Sequence, residues 1–426
     1  MHGRTMTDGQ RYEVAVVGGG PAGLAAALAL GRLGLDVALV APLHRAPGQP
    51  EDERTAALLP GSVELMRNLG AWRQAESEGE AISAIRIIDD TGALLRAPEV
   101  LFSAAEVGLE AFGFNVPNRA LVAALEEAVR APASAVAVHE AGVEALQIGA
   151  GSVRLHLRGG GGLEAGLVVG ADGRNSVCRR SAGIAARSWS YPQSALVCSF
   201  THGRAHGGVS TEFHRPGGPV TTVPLPGRAS SLVWVDRPEA AERLARLDQA
   251  SFRERLEERL NGLLGPAGTI GARAVFPLSG LAAERLGARR VALVGEAGHV
   301  LPPIGAQGLN LGLRDVAALA DCLADALRLG RDPGSPETLE AYTEARRIDV
   351  ASRVMTVDLL NRSLISDLLP VHLARGLGLH ALKAIGPLRR LVVREGLQPS
   401  LSAPALMQPG GLVWRFRSSP SRATKS

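Results

Sequence analysis

The stretch from Val14 to Val40 constrains the fold of this chain more than any other part of its sequence. An apolar run, Val14 to Val17, leads directly into Gly18-Gly19-Gly20-Pro21-Ala22-Gly23 and then into a small-residue helix pattern that stops at Gly34. A second strand pattern, Asp36 to Val40, follows at once. Strand, glycine turn, helix and strand together indicate a βαβ unit, and such a unit belongs to a parallel sheet.

The glycines in the spacing Gly18-x-Gly20-x-x-Gly23 have separate tasks in such a unit. One makes the tight turn, one lets a pyrophosphate approach the backbone, and one lets helix and strand pack closely. The N-terminus of the helix adds free N–H groups and a partial positive charge. The turn therefore predicts a dinucleotide site. The acidic residue that usually binds the adenosine ribose is missing, because Val40-Ala41-Pro42 stands in its place. Either the following loop recognises the ribose, or the affinity is reduced.

Two further predicted strands end in an acidic residue beside glycine. In "LVVGADGRNSVCRR", Asp172-Gly173 precedes a helix that Asn175 or Ser176 could cap. In "RVALVGEAGHVLPPIGAQGLNLGLRD", Gly295-Glu296 follows the strand. Prolines and glycines then lead into an amphipathic helix predicted from about Leu309 to Leu329.

In this order, the three segments resemble the class A FAD-dependent aromatic monooxygenases, which have the p-hydroxybenzoate-hydroxylase-like fold. More narrowly, "RTAALLPGSVELMRNLGAW", "GEAGHVLPPIGAQGLNLGLRD" and "YTEARRIDVASRVMTVDLLNRSL" resemble the ubiquinone-biosynthesis hydroxylases. The likeness covers nearly the whole chain. It implies an α/β fold, in which a Rossmann-like FAD-binding domain carries an inserted, mainly antiparallel β-sheet substrate domain and C-terminal helices.

The sequence pattern supports an inserted layer. Between Trp189 and Phe276 it predicts a three-stranded antiparallel meander and then one helix, Glu239 to Leu264, while Asn118 is the predicted N-cap of an earlier helix. "AIRIIDDTGALLR" predicts a hairpin. The expected limits are 12–80, 118–185 and 277–335 for the FAD-binding domain, 81–117 and 186–276 for the substrate domain, 336–397 for a C-terminal helical region, and 398–426 for a tail.

The resemblance also implies which residues bind the cofactor. These are Gly18, Gly20, Gly23, Arg54, Arg119, Asp172, Gly173, Glu296, Pro302, Gly305, Gln307, Gly308 and Asn310. Glu296 replaces an aspartate that binds the ribityl chain, and Pro302 lies against the isoalloxazine. Gly305, Gln307 and Gly308 bring backbone N–H groups to its N1–C2=O edge. No catalytic base is identified. His299 fits a structural role as well as a catalytic one, and His214 and Arg215 are expected to face solvent rather than substrate.

The function implied by the resemblance is hydroxylation of the aromatic ring of a polyprenylated phenol or quinol precursor in ubiquinone biosynthesis. The cofactor is FAD, the co-substrate is O2 through a flavin C4a-hydroperoxide, and NAD(P)H or another reductant visits transiently. Two alternatives remain open. One is a related flavin hydroxylase acting on a soluble aromatic in secondary metabolism. The other is a non-catalytic FAD-binding scaffold of a biosynthetic complex, for which Ala41 and Glu296 are hints.

Composition and charge bear on location and partners. The cysteines, Cys178, Cys198 and Cys322, show no metal-ligand spacing, and no signal-peptide pattern opens the chain, so a cytoplasmic location is expected. A net charge of +4 without a basic arm argues against nucleic acid. The leucine-rich, basic stretch 367–397 predicts a helical pair docked peripherally on the inner face of the cell membrane. Its leucines could instead pack on the FAD domain or on a partner, such as another ubiquinone-biosynthesis protein.

Overall fold

Two large β-sheets and a small third one form the framework of the chain. The computed structural model describes residues 9–42, 52–91, 98–365, 380, 384–397 and 403–411. The strands are β1 (Gln10–Val17), β2 (Val37–Val40), β3 (Thr55–Leu58), β4 (Glu80–Ala81), β5 (Ala84–Asp89), β6 (Val100–Ser103), β7 (Phe114–Pro117), β8 (Val136–His139), β9 (Val143–Ile148), β10 (Val153–Leu157), β11 (Gly162–Gly170), β12 (Ala186–His202), β13 (Val209–His214), β14 (Val220–Leu225), β15 (Ala229–Asp236), β16 (Ala267–Ile270), β17 (Ala274–Ala283), β18 (Gly287–Ala288), β19 (Val291–Leu293) and β20 (His299–Val300). The helices are α1 (Pro21–Arg32), α2 (Pro60–Asn68), α3 (Trp72–Glu76), α4 (Asn118–Arg130), α5 (Val177–Ser181), α6 (Pro238–Arg246), α7 (Gln249–Arg259), α8 (Gln307–Arg328), α9 (Pro336–Ile365) and α10 (Gly386–Leu397).

The first sheet has eight strands and contains the glycine turn. Its main order is β18-β19-β11-β1-β2-β8, and β10 and β9 continue from β11. Its parallel pairs are β1 with β11, β1 with β2, β2 with β8, and β11 with β19. Val14 to Val17 are buried. A parallel strand covered on both faces requires such a continuous apolar run. The predicted βαβ unit is confirmed.

The second sheet has nine strands, in the order β20-β17-β12-β15-β14-β13-β5-β6, with β16 beside β12. Its pairs are antiparallel except that of β13 with β5, and the predicted meander corresponds to β13, β14 and β15. β17 crosses the expected domain limit at residue 277. A third, three-stranded sheet has the order β3-β7-β4.

Two local predictions need correction, and a third lies partly outside the described residues. The single helix predicted from Glu239 to Leu264 is two helices, because Asp248 accepts hydrogen bonds from the Ala250 and Ser251 N–H groups and begins α7. The N-cap of α4 is Pro117 rather than Asn118. The hairpin strand β5 pairs with β6, while residues 92–97 between them lie outside the described residues.

Helices α8 and α9 connect the first sheet to the C-terminal part of the chain. α8 packs against α1 and α9, and α9 also contacts β17 and β18. α10 contacts the 3₁₀ turn Ala104–Val107. Of the stretch predicted to dock on a membrane, residues 367–379 and 381–383 lie outside the described residues. Among the helices that are described, none combines the length and apolar character needed to cross a bilayer.

Candidate active site

The glycine turn between β1 and α1 contains two close packing contacts and one open position. A methyl group at Gly18 would lie 2.2 Å from the Ala171 carbonyl oxygen, and one at Gly23 would lie 2.0 Å from the Gly18 carbonyl oxygen. At Gly20 nothing lies within 4 Å. α1 begins there with Gly20 as N-cap and without a side-chain cap. The first-turn N–H groups therefore lack a side-chain partner and border open space, as a bound pyrophosphate requires.

The parallel register brings the three glycine-containing segments to one edge of the first sheet. Val17, at the end of β1, pairs with Gly170, and Gly170 pairs with Leu293 at the end of β19. Gly295 then lies beside α1, since a methyl group on it would be 3.3 Å from the Ala22 side chain. Segments far apart in the sequence thus form one continuous cradle.

Asp172 orders its own turn. Its carboxylate accepts hydrogen bonds from the Ser176 hydroxyl at 2.5 Å and from the Val177 and Cys178 N–H groups at 2.6 and 3.1 Å. Ser176 is the N-cap of α5, one of the two alternatives that the sequence left open. Gly173, with a φ of +76°, has nothing within 4 Å of an added methyl group. A cofactor hydroxyl could therefore donate to Asp172 only through the carboxylate lone pairs that these three hydrogen bonds do not use.

The turn from Leu301 to Gly308, called here the 301–308 turn, presents glycine and an uncapped helix end. Gly305 has a φ of +62°, and Ala306, the N-cap of α8, has a φ of +54°. Gly308 has nothing within 4 Å of an added methyl group. α8 begins at Gln307, earlier than predicted, so Gly308 lies in its first turn. Main-chain donors and the positive end of a 22-residue helix thus lie at an open surface.

Asn310 fixes this turn to the rest of the domain. Its side-chain oxygen accepts from the Leu59 N–H at 2.8 Å, and its amide nitrogen donates to the carbonyl oxygens of Ala57 and Ala306 at 2.8 and 2.6 Å. The side chain is buried. Its carboxamide therefore holds the start of α8 against the end of β3.

Arg54 and Glu296 lie near each other at the rim of the cradle. Arg54 pairs with Asp52 at 2.7 Å and lies over the Phe276 ring at 5.2 Å. The hydrogen bond to Asp52 raises the pKa of Arg54, burial offsets part of this effect, and Glu296 adds to it. Arg119 is separate, because its guanidinium pairs with Glu78 at 2.8 Å. Arg54 thus interacts with Asp52 and Glu296, whereas Arg119 interacts with Glu78.

The second sheet has one face without α6 and α7. Alternation along β12 places Leu196, Cys198 and Phe200 in the core under these helices. The opposite face, called here the inner face, is formed in cross-strand register by Ala195, Val197, Ser199, Thr221, Val223, Ser231, Val233 and Phe276. Thr55 donates to Ser231 at 3.0 Å, and Ser199 donates to Glu53 at 3.3 Å. The chain that carries Arg54 therefore borders this face.

Strand β3 links the inner face to the start of α8. Thr55, at the beginning of β3, donates to Ser231 of the inner face at 3.0 Å. The side-chain amide of Asn310, in the first turn of α8, donates to the carbonyl oxygen of Ala57 in the same strand at 2.8 Å. The 301–308 turn itself follows β20, the outer strand beside β17. A mainly apolar sheet surface and an uncapped helix start are therefore bonded to the same short strand.

The sequence leaves the roles of His214, Arg215 and His299 open or minor; the two histidines are buried and Arg215 is half-buried. His299 is 1% exposed and contacts the Asp315 carboxylate at 2.6 Å, so its structural alternative is supported, although the partner is a side chain. The expectation that His214 and Arg215 face solvent is wrong. His214 contacts Glu212 at 2.7 Å, and Arg215 pairs with Asp90 and donates to the Arg259 carbonyl. Both therefore hold β13 against its surroundings in the second sheet.

Sequence reasoning missed the ion pairs that connect α8 and α9. Asp315, Arg346, Asp349 and Arg353 contact one another and the segments around Gly295 and Gln307. A signal for them exists in the sequence. Positions 346, 349 and 353 follow the spacing of one helical face, and three charged residues within a face that packs against α8 require partners.

Comparison with known proteins agrees with this geometry. The family described as FAD binding domain matches residues 11–358. The ubiquinone hydroxylase UbiL of Rhodospirillum rubrum is 36% identical over 90% of this chain and 89% of its own length. The 3-demethoxyubiquinol 3-hydroxylase of Escherichia coli is 33% identical over 91% of this chain and 99% of its own. The p-nitrophenol 4-monooxygenase PnpA of Pseudomonas putida shares the fold, with a TM-score of 0.75 at 19% identity over 93% of this chain and 100% of its own.

The fold and the cradle define a FAD-dependent aromatic monooxygenase. The chain belongs to the FAD binding domain family and, within it, to the ubiquinone-biosynthesis hydroxylases. FAD is its cofactor, and NAD(P)H is the electron donor typical of the family. The predicted fold class, cofactor and enzyme class are confirmed.

Proposed function

We propose that the chain hydroxylates the aromatic ring of a quinol or phenol that carries a polyprenyl tail. The observation that carries this proposal is the inner face, which β3 links to the start of α8. Its residues are mainly apolar, with hydroxyl groups at Ser199, Thr221 and Ser231. An aromatic ring with one or two hydroxyls and a long hydrocarbon substituent matches a surface of this composition. The names of the relatives from Rhodospirillum and Escherichia support the same substrate class.

Bound FAD supplies the activation of O2 and the transfer of one oxygen atom to the ring. The chain contributes binding and electrostatics. Gly18, Gly20 and Gly23 with the α1 N-terminus would hold the pyrophosphate of FAD, and Glu296 would accept a hydrogen bond from its ribityl chain. The N–H groups of Gly305, Gln307 and Gly308 would bind the pyrimidine edge of the flavin. The positive end of α8 would stabilise negative charge there.

The inner face positions the substrate and excludes water from the reacting atoms. Ser199, through its hydrogen bond to Glu53, offers a polar contact for a ring hydroxyl. Tyr191 packs beside Ala195 and Val235. Burial, together with its hydrogen bond to Asp358, raises the pKa of Tyr191 to about 12, so the hydroxyl stays protonated at neutral pH.

We also propose that the enzyme works at a membrane surface. Ile348, Met355 and Leu359 of α9 are 61%, 68% and 67% exposed. Their spacing places them on one helical face. An exposed apolar stripe of this kind marks a contact with a membrane or a protein. A membrane is the favoured occupant because a polyprenylated substrate resides in the bilayer.

One experiment tests the substrate and the membrane together. Turnover is measured for three substrates that share one quinol ring. The first carries a long prenyl tail and is supplied in phospholipid vesicles. The second carries a single isoprenoid unit and the third has no tail, and both are supplied in solution. We expect kcat/KM to rise about tenfold or more from no tail to one unit, because burial of a leucine-sized group contributes about 1.5–3 kcal/mol. The variant Ile348→Ser/Met355→Ser/Leu359→Ser should lose turnover in vesicles and keep it in solution.

Each contrary outcome has its own meaning. Equal turnover without a tail favours a hydroxylase for soluble aromatics. Bound FAD without product from any ring favours the scaffold alternative. Unchanged turnover of the triple variant in vesicles contradicts the membrane contact on α9, and a partner protein then becomes the occupant to test by co-purification.

A further inference from the structure

Buried ion pairs connect a single helix, α9, to both ends of the segment from Gly295 to Gly308. Asp315 on α8 accepts from Arg346 Nε at 2.8 Å, and Arg346 Nη1 donates to Asp349 at 2.8 Å. Arg353 Nε lies 3.5 Å from Asp349. The Asp315, Arg346 and Asp349 side chains are at most 3% exposed. Within a low-dielectric interior such pairs fix geometry, because a displaced partner leaves an uncompensated charge.

Asp315, at one end of this series of ion pairs, holds the segment that follows β19. Asp315 Oδ2 accepts from the Gly295 N–H at 3.0 Å and contacts His299 Nε2 at 2.6 Å. These bonds set the direction in which the chain leaves β19 and returns along β20. Glu296 lies between the two bonded residues, so its place at the rim depends on them.

Arg353, at the other end of the series, holds the 301–308 turn. Arg353 Nη1 donates to the Gln307 side-chain oxygen at 2.7 Å, and the Gln307 amide donates to the Gly305 carbonyl oxygen at 2.8 Å. Arg353 also donates to the carbonyl oxygens of Gly396 and Glu395, at 3.2 and 3.0 Å, at the end of α10. The last carbonyls of a helix lack intrahelical partners and carry a partial negative charge, which favours a guanidinium there.

We propose that Arg353 is a positioning residue for the flavin edge and that it acts through Gln307. The guanidinium is a rigid fork that donates to Gln307 and to α10 while it pairs with Asp349. This arrangement holds the Gln307 side chain against Gly305 and fixes the first turn of α8. The N–H groups of Gly305 to Gly308 thereby keep one orientation before the cofactor binds. The proposal rests on the assignment of the 301–308 turn to the flavin edge.

The test measures the affinity for FAD and the visible circular dichroism of bound FAD in the full chain. Arg353→Met should weaken FAD binding about tenfold or more and change the dichroism, since a hydrogen bond to a charged group is lost. Arg353→Lys should not restore either, because an ammonium cannot reproduce the fork. The matched control is Arg347→Met on the same helix. The Arg347 side chain is 67% exposed and pairs with Glu344 at 3.0 Å, so its removal should change neither readout.

Two further variants keep the outcomes separate. Gln307→Met removes the acceptor and leaves the other bonds of Arg353, so it should weaken FAD binding even if Arg353→Met fails to fold. Unchanged FAD affinity in a folded Gln307→Met protein overturns the proposal.

Gly308→Leu tests the underlying assignment, because the open space at Gly308 admits the side chain in the absence of FAD. If Gly308→Leu binds FAD normally, the turn is not the flavin edge. If it binds weakly while the Arg353 and Gln307 variants bind normally, only the role of Arg353 is refuted.

Discussion

Gly20→Ala and Gly23→Ala should both lose FAD, but only the second should lose it by damaging the fold. A methyl group at Gly23 would lie 2.0 Å from the Gly18 carbonyl oxygen, so β1 and α1 must move apart. Overpacking of this kind costs about 1–3 kcal/mol, and occasionally more. At Gly20 the φ is −77° and nothing lies within 4 Å. The protein therefore accepts the methyl group, which instead occupies the space that the pyrophosphate needs.

The measurement is the thermal unfolding of both apoproteins together with their FAD affinity. Gly20→Ala should unfold within a few degrees of the wild type and bind FAD at least about a hundredfold more weakly, while Gly23→Ala should unfold at a lower temperature. Normal FAD affinity in Gly20→Ala would show that the pyrophosphate does not approach this turn.

Asp315→Asn should cause the largest loss of stability among the site variants. The change leaves Arg346 and His299 buried without the carboxylate that they share, and breaking a buried ion pair costs about 3–5 kcal/mol. Urea unfolding of the apoprotein measures the difference. The control is Asp325→Asn on the same helix. The Asp325 side chain is 65% exposed and pairs with Arg328 at 2.8 Å. An exposed pair contributes about 0–1 kcal/mol, so a comparable loss in the two variants would contradict this account.

The difference between wild type and Asp315→Asn should depend on pH in a defined direction. Burial alone would raise the pKa of Asp315, but the charges and hydrogen bonds of His299 and Arg346 outweigh it and lower the pKa below the ordinary value of 3.8. A lowered folded-state pKa gives stability that is fully present above the unfolded pKa. The difference should therefore persist at neutral pH and shrink as the pH falls below about 4 through the folded-state pKa. A difference that grows on acidification would contradict this assignment.

Features that depend on local sequence could be predicted. The glycine turn is predictable because only glycine allows its backbone angles and the close approach of strand, helix and phosphate. The meander is predictable because apolar and polar residues alternate along its strands and turn residues separate them. The division of helix 239–264 was missed because helix periodicity continues through Leu247-Asp248. The capping bonds of Asp248 that break it depend on one residue.

Long-range contacts could not be predicted from local patterns. Asp315 and Arg346 read as ordinary helix charges, yet their partners lie on another helix. Arg215 ends a strand like a solvent-facing residue, but it pairs with Asp90, which follows β5. Asp172 stands in the expected motif, and only the structure shows that it accepts hydrogen bonds from the first N–H groups of α5. Charged side chains reveal their role through partners distant in the sequence, and a single sequence does not specify those pairs.

Labelled oxygen gives the most direct test of the central claim. The FAD-loaded protein is supplied with NAD(P)H, a prenylated quinol and ¹⁸O2, and the product is examined by mass spectrometry. The account predicts a product that gains one ¹⁸O atom on the aromatic ring, with none gained when the label is in the water. A hydroxylated product without ¹⁸O, or FAD-loaded protein that consumes the reductant and leaves every prenylated ring unchanged, would contradict it.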